Sequence, residues 1–314
     1  MIGKPKKNQI PFLNYQFDKN TIIKKNSEVI TIDSRIIGTL GNFCILTGKP
    51  KSRKSVFAGA ILSSALLGAS VLDIQVKVPD QSEIIYIDTE QNNYNLSKSL
   101  DYIKIATGGN IDRLKVFQFR GLDTKVIIQY IEDIIIHFSK CKLIVIDGLL
   151  DLIDDFNSIV DAKLIVNKLM FWTENYNICI VGVLHQSKGN GYTIGHLGSF
   201  VDRKAESVLE VIKNEDDTTT LKPLLMRSDA NFQDITIFYD TSIKNYRTNT
   251  SSIDNCTQIR AIIGNTEVSH TQLMDQIALA IPNKTDHYYR SRIKDAFLNN
   301  CIVQLPNKKY SAKL

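Results

Sequence analysis

Apolar residues in this chain gather into short continuous runs divided by stretches with helical spacing. Asn42–Thr47, Glu83–Glu90, Cys141–Asp147 and Asn177–Gln186 are nearly unbroken apolar runs, and three of them end on acids or amides. Such runs predict strands buried on both faces, as in a parallel sheet. Ser55–Leu67, Tyr94–Ile105, Thr124–Phe138 and Ser158–Glu174 carry apolar residues at the spacing of helices packed on one side. The resulting order of strand, loop, helix and repeated strand–helix units predicts a doubly wound α/β fold with a mostly parallel sheet. Val208–Lys213 and Leu221–Arg227 read as paired strands around an Asp216-Asp217 turn. A further strand at Asp234–Tyr239 would extend the sheet at one edge.

The pattern changes after that strand. Thr241–Asp254 is rich in Thr, Ser and Asn and poor in apolar spacing, so it reads as a linker. Cys256–Ile263 is a short helix candidate, Ser269 an N-cap for His270–Ala280, and Tyr288–Asn299 a third helix. Ile302–Tyr310 reads strand–turn–strand. Three helices and a small hairpin make a winged-helix-like pattern. The expected division is an N-terminal extension at 1–30, an α/β domain at 31–240, a linker at 241–254 and a winged-helix-like domain at 255–314.

Composition adds limits. With 314 residues, 43% of them hydrophobic, the chain can bury one large core and a small second one. Thirty-eight basic residues against 33 acidic ones leave a formal charge of +5. That permits nucleic-acid binding without arguing for it. Five cysteines without a C-x-x-C pair predict neither a disulfide framework nor a zinc site, and fit a reducing compartment. No apolar stretch reaches the roughly 18 residues of a membrane helix, and the N-terminus lacks an apolar signal core. A cytoplasmic location is expected.

The chemistry centres on Gly48, Lys49, Pro50, Lys51, Ser52, Arg53, Lys54 and Ser55. This segment follows the phosphate-loop pattern G-x-x-x-x-G-K-[ST] except that Arg53 replaces the second glycine. A strand precedes it and a helix follows, the context in which loop N–H groups cradle phosphates. Lys54 would reach the β- and γ-phosphates of ATP, and Ser55 would hold Mg²⁺. Arg53 could adopt the glycine's backbone angles and point its side chain outward or toward phosphate. Two other readings stay open: a basic surface turn, and a loop that binds nucleotide but hydrolyses it poorly.

Carboxylates at strand ends complete the pattern. Asp88 and Glu90, two residues apart, would face one side of an extended segment, with Glu90 as general base for water. Asp147, ending I-V-I-D, would hold Mg²⁺ with Ser55. Asp151, Asp154 and Asp155 read as a solvated acidic turn. His185 and Gln186 could sense the γ-phosphate. The glycine-rich stretch Ser187–Gly195, with Lys188 and Tyr192, is either a nucleic-acid contact or a surface loop. Trp172, with Phe171 and Met170, reads as packing. In the C-terminal helices Tyr288, Arg290, Arg292 and Lys294, with Lys308 and Lys309 on the hairpin, form a basic and aromatic cluster suited to DNA. Packing or protein binding is the other reading of that cluster.

This series of a phosphate loop, D-T-E-Q, I-V-I-D and L-H-Q resembles the ATPase core of RecA and the DnaB-type replicative helicases. With G-H-L-G-S at Gly195–Ser199, it is most similar to RepA-type plasmid helicases and related ATPases of Bacteroidetes mobile elements. The likeness covers roughly Thr31–Tyr239. It implies a RecA-like core, Glu90 as activator of water, and His185 and Gln186 as phosphate sensors. It also implies homo-oligomeric rings, hexamers among them, in which a basic residue reaches the neighbour's nucleotide. Arg227 is the choice for that finger, with Arg203 and Lys204 as alternatives. The function so implied is a Mg²⁺-dependent ATPase acting on or with DNA in replication or mobilisation of a plasmid or transposon, alongside other replication or mobilisation proteins. The competing expectation is an ATP-binding regulator or loader with little hydrolysis. A small-molecule kinase is a third, which the D-T-E-Q strand end and the extra module count against.

Overall fold

Strands buried on both faces can only lie inside a sheet covered by helices, and that is how the computed structural model arranges them. It describes residues 16–22, 25–155, 157–186, 195–248, 259–264, 266–280, 286–298 and 301–312. The principal strands are β3 Phe43–Gly48, β5 Ile84–Asp88, β6 Leu114–Gln118, β7 Leu143–Asp147, β8 Cys179–His185, β9 Ser207–Lys213, β10 Thr219–Met226, β11 Ile235–Asp240 and β12 Asn245–Thr248. They form one nine-stranded sheet in the order β12-β11-β10-β9-β3-β8-β7-β5-β6. From β6 through β9 all neighbours are parallel; β10, β11 and β12 continue antiparallel. β5 and β7 are buried at every position, as their unbroken apolar runs require.

Helices cover both faces. α1 Lys54–Leu67 and α2 Asn93–Thr107 share one apolar cluster. α3 Thr124–His137, α4 Ile159–Tyr176 and α5 Gly195–Lys204 share the other. Local signals set their ends: the side chains of Asn92, Asp123 and Ser158 each accept a hydrogen bond from a first-turn N–H, and Gly108 closes α2 in the left-handed region. α1 is apolar nearly all round because it lies between the sheet and α2, so the run after the loop is core. Trp172 is fully buried and its Nε1 donates to Glu132 at 3.2 Å, whereas Phe171 lies half exposed rather than packed.

Several elements differ from the sequence expectations. A small antiparallel sheet of β1 Glu28–Ile32, β2 Arg35–Thr39 and β4 Ile74–Val76 packs on the α1 face. It begins inside the stretch expected to be an extension. β6 was not foreseen because LKVFQ, at the sheet edge, is only partly buried. β12 falls where a linker was expected. An outermost strand needs to bury little, and its pairing runs from Ile237↔Thr248 to Asp240↔Asn245. Residues 249–254 of the expected linker lie outside the described residues.

Beyond them, residues 259–263 are helical, followed by helices His270–Ala280 and Asp286–Leu298 and the hairpin β13 Ile302–Gln304 and β14 Tyr310–Ala312. Ser269, the expected N-cap, accepts at Oγ from Gln272 N at 3.2 Å, and its own N–H donates to Gln272 Oε1 at 2.9 Å, a reciprocal cap. These pieces share an apolar cluster that includes Ile259, Leu273, Ile277, Ile293 and Ile302. Cys44, Cys141 and Cys179 are free and buried, in keeping with the expectation of no disulfide framework, whereas Cys301, buried in the C-terminal cluster, is disulfide-bonded. No helix among the described residues is long and apolar enough to cross a membrane.

Candidate active site

Parallel strands put their C-terminal ends on one edge, and the register here aligns the polar ones. Asp88 lies beside Asp147, and Gly48 beside His185. Ligands of open α/β sheets bind at that edge.

The loop after β3 leads straight into α1. A Cβ on Gly48 would stand 2.4 Å from the Val211 carbonyl and 2.6 Å from Ser52 Oγ, so no side chain fits there. Lys51 and Arg53 both take positive φ, 64° and 71°. Lys49, Pro50 and Lys51 are exposed, while Ser52 is buried with its Oγ unpartnered among the described residues. Lys54 Nζ turns back into the loop, donating to the Gly48 and Lys49 carbonyls at 3.0 Å each and meeting His185 Nδ1 at 3.0 Å. Burial lowers the Lys54 pKa, and Asp147 and Glu90 oppose the shift by favouring its charge.

Ser55 Oγ donates to Asp147 Oδ2 at 2.7 Å, across 92 residues of sequence. A hydroxyl beside a buried carboxylate at the mouth of a helix N-terminus is a donor set that suits Mg²⁺, which shares its shell with waters and phosphates. Tyr86, not foreseen as a site residue, places its OH 3.2 Å from both Asp88 and Asp147. Its place two residues before Asp88 on the same strand face was the available signal. Burial raises the Asp147 pKa to about 6, with Asp88 and Glu90 adding repulsion and the Ser55 bond opposing.

That shift has a stability consequence. A carboxyl whose folded pKa exceeds its unfolded value favours folding most when protonated, and loses that contribution as pH rises through about 6. Asp147→Asn is therefore expected to melt higher than the parent above neutral pH, by roughly 1–3 kcal/mol. The difference should vanish as pH falls from about 6 towards the ordinary value of 3.8. Thermal melts of both proteins across that range check it; a constant difference would contradict it.

Asp88 and Glu90 do not act as a same-face pair. β5 ends at Asp88, whose Oδ1 accepts the backbone N–H groups of Glu90 and Gln91 at 3.1 and 2.7 Å, while Oδ2 accepts Gln91 Nε2. Burial raises the Asp88 pKa, against these bonds. Asp88 thus shapes the turn that presents Glu90. Glu90 reaches His185 Nε2 at 3.0 Å, and this contact lowers its pKa, burial opposing. His185 therefore stands between Glu90 and Lys54.

Gln186 is not beside them. It is 2% exposed, its Nε2 donates to Glu210 at 2.8 Å and its N–H to Gly48 O at 3.0 Å, so it supports the loop from behind. Asp151 accepts from Thr89 at 2.7 Å; Asp154 and Asp155 are exposed. Residues 187–194 of the glycine-rich stretch lie outside the described residues, and Gly195–Ser199 opens α5.

Arg227 donates through its guanidinium to the Arg203 carbonyl, capping its own chain's α5, and its N–H bonds Glu206 O at 3.0 Å. Arg203 bonds back to Ser199 and covers Phe200. In the C-terminal module Arg290, Lys294, Lys308 and Lys309 are exposed. Arg292, expected among the DNA contacts, is 6% exposed; it shares its helix face with Tyr289, Ile293 and Ala296, the inward stripe. The side chain of Tyr288 lies outside the described set.

A protein-family model described as an AAA domain matches residues 23–191, more than half of the chain. No curated protein matches it.

Proposed function

The chain belongs to the AAA domain family of P-loop ATPases, and from that premise we propose that it is a Mg²⁺-dependent ATPase working with DNA. The observation that carries the ATPase reading is the Ser55–Asp147 contact at 2.7 Å with Lys54, His185 and Glu90 joined beside it. Loop N–H groups and Lys54 would bind the phosphates. Ser55 and Asp147 would hold Mg²⁺, which when bound offsets the phosphate charge. Asp88 fixes the turn that carries Glu90, and Glu90 takes the proton of the attacking water. On nucleotide binding Lys54 gives up its loop carbonyls. His185, already touching both Lys54 and Glu90, is placed to report phosphate occupancy to the base.

The DNA reading rests on the C-terminal module. Three helical segments and a hairpin around their own core fit a winged helix, and Arg290 and Lys294 stand one turn apart on the outer face of Asp286–Leu298. The resemblance to RepA-type plasmid ATPases supports a role in plasmid or transposon replication or mobilisation, carried out by a cytoplasmic ring. Arg227 serves as the finger in such a ring only after leaving the Arg203 carbonyl. Arg53 favours one alternative: a loop built without its second glycine suits an ATP-held switch with slow turnover.

ATP turnover with and without single-stranded or duplex DNA tests the proposal. Stimulation by DNA supports a motor; tight ATP binding without turnover supports the switch. Arg290→Ala with Lys294→Ala should weaken DNA binding at every sequence and flatten the salt dependence by about 0.9 log units per lost duplex contact. An unchanged slope would remove that helix face from the interface.

A further inference from the structure

Arg53 stands where the loop motif calls for glycine, at φ 71° and ψ 30°. Glycine takes these left-handed angles freely, while an L side chain brings its Cβ against a carbonyl and favours other angles. A relaxing Arg53 would drag the loop's N–H groups away from the position that binds an anion.

The guanidinium is held in place instead. Nη2 pairs with Asp217 Oδ1 at 2.7 Å. Nη1 donates to Thr219 Oγ1 at 3.0 Å and to the Asp217 carbonyl. The group also lies over the Tyr246 ring, 5.7 Å from its centroid. These partners belong to the β9–β10 turn, the start of β10, and β12.

The anchor, an exposed carboxylate on the hairpin turn, has partners of its own. Lys213 Nζ pairs with Asp217 at 2.9 Å, Asp217 N donates to Asn214 O at 3.3 Å, and Thr219 is fully buried. Arg53, then Lys213, hold the Asp217 carboxyl down at about 2, so it stays ionised. The same hairpin supports the other end of the loop. Gly48 pairs with Val211 of β9, at the approach that excludes a Cβ.

We propose that Arg53 is a positioning residue: its fork onto Asp217 and Thr219 holds the phosphate loop in the left-handed form that binds an anion. The β9–β10 hairpin thereby replaces the freedom of the missing glycine with a restraint. This rests on reading Gly48–Ser55 as a phosphate-binding loop. Loop order then depends on the antiparallel edge of the sheet, β12 included.

A double-mutant cycle of Arg53→Gly and Asp217→Ala tests it, with melting curves to confirm folding. Two quantities are read: amide hydrogen exchange across residues 49–56 without nucleotide, and affinity for ADP with Mg²⁺. Asp217→Ala alone should speed loop exchange about tenfold and weaken ADP binding about fivefold or more. In the Arg53→Gly background, Asp217→Ala should change either by less than about twofold, and Arg53→Gly should restore the affinity that Asp217→Ala loses. A general loss of structure would not give that rescue. Equal effects of Asp217→Ala in both backgrounds, or no effect on exchange in the parent, would overturn the latch. Absence of ADP binding by the parent would instead overturn the phosphate-loop reading, and the exchange arm still decides the latch.

Discussion

Glu90→Gln is expected to lower ATP turnover by about 10²–10⁴-fold while ATP affinity stays within a few-fold. Three carboxylates crowd the strand ends, and their surroundings separate their roles. Asp147 is committed to Ser55 and Tyr86, and its pKa is raised to about 6. Asp88 is fully buried and accepts hydrogen bonds from the turn that follows it. Glu90 alone is both open to solvent and held below the ordinary carboxylate range, by its contact with His185. It is therefore ionised near neutral pH and able to take a proton. Glutamine keeps the shape and can still bond His185, but it accepts no proton. Single-turnover kinetics beside equilibrium ATP binding separate the two effects. Turnover left near the parental rate would transfer the role of base elsewhere.

Lys54→Ala is expected to abolish turnover, by at least about 10²-fold, and to weaken nucleotide binding as well. Its ammonium belongs to the buried lysine of the loop, where Lys49 and Lys51 are exposed, and it is satisfied by Gly48 O, Lys49 O and His185. Burial lowers its pKa, so a phosphate entering this site finds a partly desolvated charge, which binds more strongly than one in water. The loss should appear in both affinity and rate. Glu90→Gln should touch rate alone. Titration calorimetry with turnover assays draws the distinction. A Lys54→Ala protein that hydrolyses ATP at the parental rate would remove this loop from catalysis.

Much of the sheet was legible because burial on both faces leaves a plain signature. β5 and β7 are buried at every position and, apart from the Tyr86 hydroxyl, apolar up to the terminal Asp, in runs of five residues that suit a covered strand rather than a helix. Helix starts were legible where a short side chain caps them, as at Ser158 and Ser269. β6 and β12 were not, because an edge strand buries too little to mark its sequence. Arg292 misled for a related reason. Its basic neighbours suggested a uniform surface, but helical spacing turns it inward beside Tyr289 and Ile293. Gln186 misled because adjacent residues on a strand point to opposite faces, so His185 and Gln186 could not both look into the site.

The phosphate loop, the acid that ends β7, and the alternation of buried strands with covering helices were determined by the sequence, since each is a local pattern of residue type and spacing. Tertiary structure decided the rest. It brought Ser55 to Asp147 across 92 residues and Arg53 to Asp217 across 164. It set His185 between Glu90 and Lys54, and it made Asp88 the support of the turn that carries Glu90. Local patterns act through the backbone of neighbours. Contacts over such separations exist only once strand order and register are fixed, and those follow from how the whole core packs.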